Sequence, residues 1–225
     1  MQVVLIRHAH SIANARGVLS GRIAGVHLSP IGITQSQELI SRLGAIKVAA
    51  LWLSPLERCL ESISPWWDGV GKKHNRGVDI VEDPNLLEVD YGKWSGKKLS
   101  VLATNKSWKT VQNSPSAMYF PLGEGMAAMQ ARAMRAVHES LKVKRKGAVV
   151  LVSHGDIIKS IVASSLGMHL DDFQRIVIDP ASISIIDFGG TKPRVLLLND
   201  SRSHLESFIN APLRNKNLLG GGAGK

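Results

Sequence analysis

The sequence predicts a three-layer α/β/α fold around a mostly parallel, mixed sheet, and three observations point there. Short runs rich in Val, Ile and Leu recur along the chain, at 2–6, 48–53, 78–81, 148–152, 183–188 and 194–198. Most are separated by amphipathic stretches with helix start signals, and no fixed-period repeat interrupts the alternation. Strands alternating with helices form parallel sheets covered on both faces. Finally, several of the strand-like runs stop abruptly at polar residues, and open α/β sheets bind ligands just beyond the carboxyl ends of their strands.

The first strand, from Gln2 to Ile6, ends at Arg7 and His8, a cation and an imidazole well placed to meet an anion. Residues 9–28, with Asn14, Gly17, Gly21 and Gly25, read as a long polar loop. Loops of that length inside compact domains are commonly functional. Ser29-Pro30 supplies an N-cap and a proline at the first helical position. That helix carries Ile33, Leu39, Ile40 and Leu43 and should stop at Gly44. The run from Val48 to Leu53 is a second buried strand. Ser54-Pro-Leu-Glu57 has the form of a capping box, so a helix is expected to start at that strand's end, with Arg58 in its first turn. A cation there opposes the helix dipole, a local misfit that hints at function.

A short third strand is expected from Val78 to Val81. Residues 82–123 are the least regular part and read as a cap-like excursion with one short helix. A long amphipathic helix should follow from about Glu124 to Lys142, then a fourth strand from Ala148 to Val152 ending in Ser153-His154-Gly155. A helix begins near Gly155 and stops at Gly167, and the runs 183–188 and 194–198 close the sheet. Residues 1–200 are expected to form one domain with the cap at about 95–123. Residues 201–225 form a C-terminal segment ending in a flexible glycine-rich tail, which lacks the flanking strand and helix of a phosphate loop.

Bulk properties narrow the function. The 225 residues suffice for a sizeable core, and 44% hydrophobic with 20% charged residues is ordinary for a globular protein. The single cysteine, Cys59, excludes an intramolecular disulfide and suits a reducing compartment. With no signal-like or membrane-length apolar segment, a cytoplasmic protein with no membrane partner is expected. The net charge of +10 is scattered, with its tightest cluster, Lys142 to Lys146, at the end of a helix where cations suit the dipole. No base-reading motif accompanies it, so nucleic acid is not expected as a partner. The oligomeric state is open between monomer and homodimer.

If the strands are parallel neighbours, Arg7 and His8, the Ser54–Arg58 segment, and Ser153 and His154 converge at one sheet edge. Guanidinium suits phosphate, because its planar fork donates in pairs and keeps its charge. The helix N-terminus after His154 adds N–H groups for an anion. Candidate carboxylates for acid–base work are Glu82, Asp83, Glu88 and Asp90.

The motifs then resemble one family. Leu5-Ile-Arg-His-Ala-His-Ser-Ile-Ala-Asn14 is similar to R-H-G-x-x-x-x-x-N, and Leu28 to Gln35 to L-T/S-x-x-G-x-x-Q. Ser54 to Arg58 is similar to S-P-L-x-R, and Glu88, Gly92, Trp94 and Gly96 to E-x-x-x-G-x-W-x-G. Gly123-Glu124 and Val152-Ser-His-Gly155 complete six elements in order, over residues 2 to about 190. The chain thus resembles the histidine phosphatase superfamily, which includes the cofactor-dependent phosphoglycerate mutases. Two departures are Ala9, where the family has glycine, and His10, where glutamate or glutamine is common. Were φ positive at Ala9, alanine would cost roughly 1 kcal/mol or more.

The resemblance implies that His8 is a nucleophile that becomes phosphohistidine. It implies that Arg7, Arg58 and His154 hold the equatorial phosphoryl oxygens, that Glu88 is the general acid and then base, and that Asn14 adds a donor. No metal and no cofactor are implied. His27 is a candidate for the site's mouth, while His74, His138, His169 and His204 read as surface residues. The leading expectation is a phosphomonoesterase acting on a small phosphorylated metabolite. A phosphoglycerate mutase is the alternative, disfavoured by a short cap. A catalytically silent phosphate-binding or scaffolding protein is the alternative of another class.

Overall fold

A computed structural model describes residues 1–205 together with Ile209. Its strands are β1 (Gln2–Arg7), β2 (Val48–Leu53), β3 (Ile80–Glu82), β4 (Ala148–Ser153), β5 (Ile183–Asp187) and β6 (Arg194–Asp200). They form one sheet in the order β3-β2-β4-β1-β5-β6. The pairs β1–β4, β4–β2 and β2–β3 are parallel, whereas β5 runs antiparallel to both β1 and β6. The helices are α1 (Ile12–Ala15), α2 (Pro30–Leu43), α3 (Glu57–Trp66), α4 (Lys72–His74), α5 (Leu99–Leu102), α6 (Trp108–Asn113), α7 (Met126–Ser140) and α8 (Gly155–Ser165).

Side-chain alternation along the central strands splits the core in two. Val4 and Ile6 of β1 and Val150 and Val152 of β4 point to the face covered by α2 and α3, where Leu39, Leu43, Ile63 and Trp66 are fully buried. Val3 and Leu5, with Val149 and Leu151, point to the other face, under α7 and α8. Both faces of these strands are buried, which is why they read as continuous apolar runs rather than alternating ones. The expected α/β/α layering is what forms.

Helix α2 follows its sequence signals. Ser29 Oγ accepts from Gly32 N at 3.2 Å, Pro30 opens the helix, and Gly44 ends it at φ 55°. Gly32 has a packing reason as well: a Cβ there would lie 2.0 Å from the His10 carbonyl oxygen. With Gln35 Oε1 accepting from His10 N at 2.9 Å, this turn of α2 clamps the chain leaving β1.

Several expectations are corrected. The capping box at Ser54–Glu57 does not form: α3 starts at Glu57 with Leu56 as an N-cap lacking a side-chain bond. Ser54 Oγ is bonded to His154 instead, and a Glu57 carboxylate oxygen accepts from Gly25 N at 3.0 Å. The loop 9–28 contains α1, built on a capping box between Ser11 and Asn14. Ala9 is not among the residues at positive φ, so it carries no such strain. Helix α7 begins two residues late, because Glu124 is held outside it by Asp90 and Arg132. The cap holds two short helices, α5 and α6, rather than one. Strand β3 sits slightly later than expected, at 80–82. The glycine-rich tail lies outside the described residues. No helix among them is long and apolar enough to cross a membrane.

Candidate active site

The convergence expected at the sheet edge is set by strand order. β1, β4 and β2 are parallel neighbours, Arg7 is in register with Ser153, His8 N donates to Ser153 O at 2.9 Å, and Ser54 N donates to Val152 O at 3.0 Å. A cavity of about 290 Å³ opens beyond these strand ends, and Arg7, His8, Asn14, Arg58 and Glu88 line it.

His8 is nearly enclosed, and its Nδ1 lies 2.7 Å from the Ala9 carbonyl oxygen. A carbonyl only accepts, so Nδ1 carries the proton and Nε2 keeps its lone pair. Burial, then the charges of Arg58 and Arg7, hold the pKa of His8 well below that of an ordinary histidine. The ring is therefore neutral at physiological pH, with Nε2 free to accept. Arg58 is 1% exposed, yet Nε and Nη1 have no partner, and Arg7 Nε has none either. Neither guanidinium ion-pairs with a carboxylate among the described residues. Buried charges are normally paired, so these free donors beside an imidazole describe a site for an anion. Arg7 Nη1 is anchored by the Ile178 carbonyl and Arg58 Nη2 by Gly21 O at 2.8 Å.

His154 stands behind this pair and does not line the cavity. Its ring lies 5.1 Å from that of His8. Arg58 Nη2 donates to its Nδ1 at 3.2 Å, which places the proton on Nε2, 2.7 Å from Ser54 Oγ. Burial, followed by Arg58, lowers its pKa well below the ordinary value, so it is neutral too. Beneath it, Cys59 has its thiol pushed up to about 12 by burial and is inert as a nucleophile.

Glu88 sits half-buried on the opposite wall. Burial first, and then the carboxylate of Asp156, push its pKa up to about 7, against the Val89 N–H, Arg58 and Arg7. Arg132 fixes its backbone, donating to the carbonyls of Asn85, Leu87 and Glu88 and to both oxygens of Glu124. Arg22 donates to the Glu88 carbonyl at 2.9 Å from the other side. A neutral imidazole, unpartnered guanidinium N–H groups and a carboxyl that keeps its proton near pH 7 suit phosphoryl transfer.

Residues 3–201 match the family model of the histidine phosphatase superfamily, branch 1. The chain belongs to that superfamily. Phosphoserine phosphatase 1 of Hydrogenobacter thermophilus is 25% identical over 210 residues, spanning 92% of this chain and 96% of the relative. The 2,3-bisphosphoglycerate-dependent phosphoglycerate mutase of Thermoplasma acidophilum is 27% identical over 184 residues, 82% of this chain and 86% of its own. Among solved structures, the alpha-ribazole phosphatase from Shigella flexneri superposes with a TM-score of 0.78 at 23% identity, covering 90% of this chain and 98% of that one. At that identity the likeness speaks for the fold.

Two residues singled out in the sequence of this histidine phosphatase lie elsewhere. His27 is exposed and paired with Glu61, away from the cavity, so it is not a mouth residue. His10 is bonded through Nδ1 to Ser29 Oγ at 2.8 Å and does not line the cavity. Asn14 does line it; its Oδ1 is taken by Ser11, which leaves the amide NH₂ to donate. His74, His138, His169 and His204 are exposed. Sequence reasoning missed Arg22, Arg132, Asp156 and Lys159. Asp156, directly after Ser153-His154-Gly155 in the first turn of a helix, was the one with a readable signal. No cluster of three or more His, Cys, Asp or Glu among the described residues could hold a metal ion.

Proposed function

We propose that this histidine phosphatase is a phosphomonoesterase that hydrolyses a small phosphorylated metabolite through a phosphohistidine at His8. The observation that carries the reading is the buried Arg58 and the half-buried Arg7, both with free N–H groups, beside a neutral imidazole. The phosphoserine phosphatase among its relatives supports it.

His8 Nε2 attacks phosphorus while the bond to the leaving oxygen breaks. Arg7 and Arg58 donate to the equatorial oxygens, with Asn14 adding a donor, and the N-terminus of α8 favours the negative charge. His154 holds Arg58 in place through Nδ1 and backs the imidazole of His8. Glu88, protonated at the outset, delivers its proton to the leaving oxygen. As a carboxylate it then takes a proton from the attacking water. The water oxygen bonds to phosphorus, the P–N bond breaks, and inorganic phosphate leaves with Glu88 reprotonated.

Hydrolysis is favoured over mutase action because a mutase must shield its phosphoenzyme from water. Here the cap is two short helices, and Leu99 on the cavity wall is 43% exposed. The test is a phosphate-release screen over phosphorylated sugars, glycerates, nucleotides and cofactor precursors, run beside a coupled phosphoglycerate mutase assay. Phosphate release without mutase turnover is expected. Isomerisation faster than phosphate release would overturn hydrolysis as the main activity.

A further inference from the structure

Beyond the phosphate end, the cavity changes character. Four of its lining residues form a continuous series of rings. Tyr91 meets Phe120 edge-on at 5.0 Å, Phe120 meets Trp94 at 5.3 Å, and Trp94 stacks on Trp108 at 6.3 Å with 18° between planes. Trp108, on α6 of the cap, is the member of the series left half-buried, while Tyr91, Trp94 and Phe120 are buried. Leu19 and Leu99 extend the apolar wall.

The charges on this side cancel. Asp156 and Lys159 are the charged wall residues outside the phosphate set, and they pair with each other at 3.5 Å. Lys159 also donates to Gln174 Oε1 at 3.1 Å and lies over the Phe173 ring at 5.5 Å. Asp156 accepts from Tyr91 Oη at 2.8 Å. Among the described residues lining this wall, no free cation remains for a second anionic group of a substrate, and no free carboxylate for an ammonium. Drawing Lys159 toward a substrate carboxylate would strand Asp156, and a half-buried charge left without its partner is costly. An apolar ring replacing water on the aromatic wall is favourable.

We infer that the substrate's leaving group is an uncharged alcohol with a bulky, ring-bearing apolar body that stacks on Trp108, and that charged leaving groups of the serine or glycerate type are poor. This rests on the phosphomonoesterase reading. It separates the chain from what the names of its phosphoserine and phosphoglycerate relatives would suggest.

The test compares kcat/KM of the wild type for four alkoxide substrates: 2-phenylethyl phosphate, ethyl phosphate, phosphoserine and 3-phosphoglycerate. The alcohols of the last two are the more acidic, so intrinsic reactivity works against the inference. 2-Phenylethyl phosphate is expected to exceed each of the others by about tenfold or more, the scale of hydrophobic-pocket discrimination. Trp108→Ala should lower the ratio of 2-phenylethyl to ethyl phosphate about tenfold, chiefly through KM, and Trp108→Phe should restore most of it. Phosphoserine or 3-phosphoglycerate matching 2-phenylethyl phosphate would overturn the inference on the wild type alone, and an unchanged ratio in Trp108→Ala would do the same. The phosphatase reading fails separately, and takes the inference with it, if neither these esters nor nitrophenyl phosphate release phosphate.

Discussion

In the proposed mechanism, replacing Glu88 by Gln removes the proton that leaves with the alkoxide while keeping the side chain's shape. An ordinary glutamic acid at 4.5 would be protonated in about 0.3% of molecules at pH 7, whereas Glu88 at about 7 is protonated in about half, a gain of about 150-fold. Burial is the largest cause of that rise and Asp156 the next. Positioned proton transfer contributes about 10²–10⁴ in rate. For an alkyl phosphate, the ratio of wild-type to Glu88→Gln kcat/KM should therefore be about 10³ at pH 6 and fall to about 10² at pH 8, as Glu88 loses its proton. The substrate's own ionisation affects both enzymes and cancels in the ratio. His8 does not distort this window, because its pKa is depressed and its protonation matters only at lower pH. With nitrophenyl phosphate, whose leaving group needs little protonation, the ratio should be small and flat with pH. The assay is initial-rate phosphate release from pH 5.5 to 8.5. Because release of the alcohol commits the reaction, kcat/KM reports only phosphoryl transfer to His8, so the later role of Glu88 as base does not enter. A pH-independent ratio on the alkyl ester, or equal ratios on both esters, would refute Glu88 as the acid.

The same ionisation makes a stability prediction. Folding raises the proton affinity of Glu88, so the wild type loses stability as pH rises from about 4.5 through 7, by at most about 3 kcal/mol. Glu88→Gln should accordingly gain melting temperature relative to wild type between pH 5 and pH 8, and a constant difference would remove the assigned shift. His8→Ala should lower turnover by on the order of 10³ or more. It should also melt close to wild type, since it relieves a desolvated ring between two cations; activity within tenfold of wild type would exclude the nucleophile role. Ser54→Ala leaves His154 Nε2 with only the weak acceptor Cys59 Sγ, at 3.6 Å, in a fully buried place. It should cost about 1–3 kcal/mol in denaturant melts and reduce kcat, with Ser54→Thr restoring both. Dialysis against a strong chelator should leave turnover unchanged; loss that a divalent ion restores would show a metal requirement that this site does not explain.

Much of this was legible in the sequence because the signals are local. β2 falls at 48–53 as read, and α2 between Ser29 and Gly44, since an apolar run and a Ser-Pro start with a Gly stop each act within a few residues. The gathering of Arg7, His8, Arg58 and His154 needed only the assumption of parallel neighbouring strands, which the order β2-β4-β1 meets. What failed depends on competition across the fold. Ser54 has two possible acceptor roles, and a buried imidazole 100 positions away outcompetes the helix end. Arg132 reads as an ordinary helix arginine until the turn at 85–88 is folded against it. Lys159 looks like half of a routine i,i+3 surface pair with Asp156, and only the folded cap makes it part of a cavity wall.

Rapid acid-free quenching of the wild type with a ³²P-labelled substrate tests the phosphohistidine at His8 most directly. The expected result is a labelled enzyme within the first turnover, stable in base and labile in acid, with the label on the peptide that carries His8 and absent from His8→Ala. Turnover with no labelled intermediate, or label that persists in His8→Ala, would contradict it.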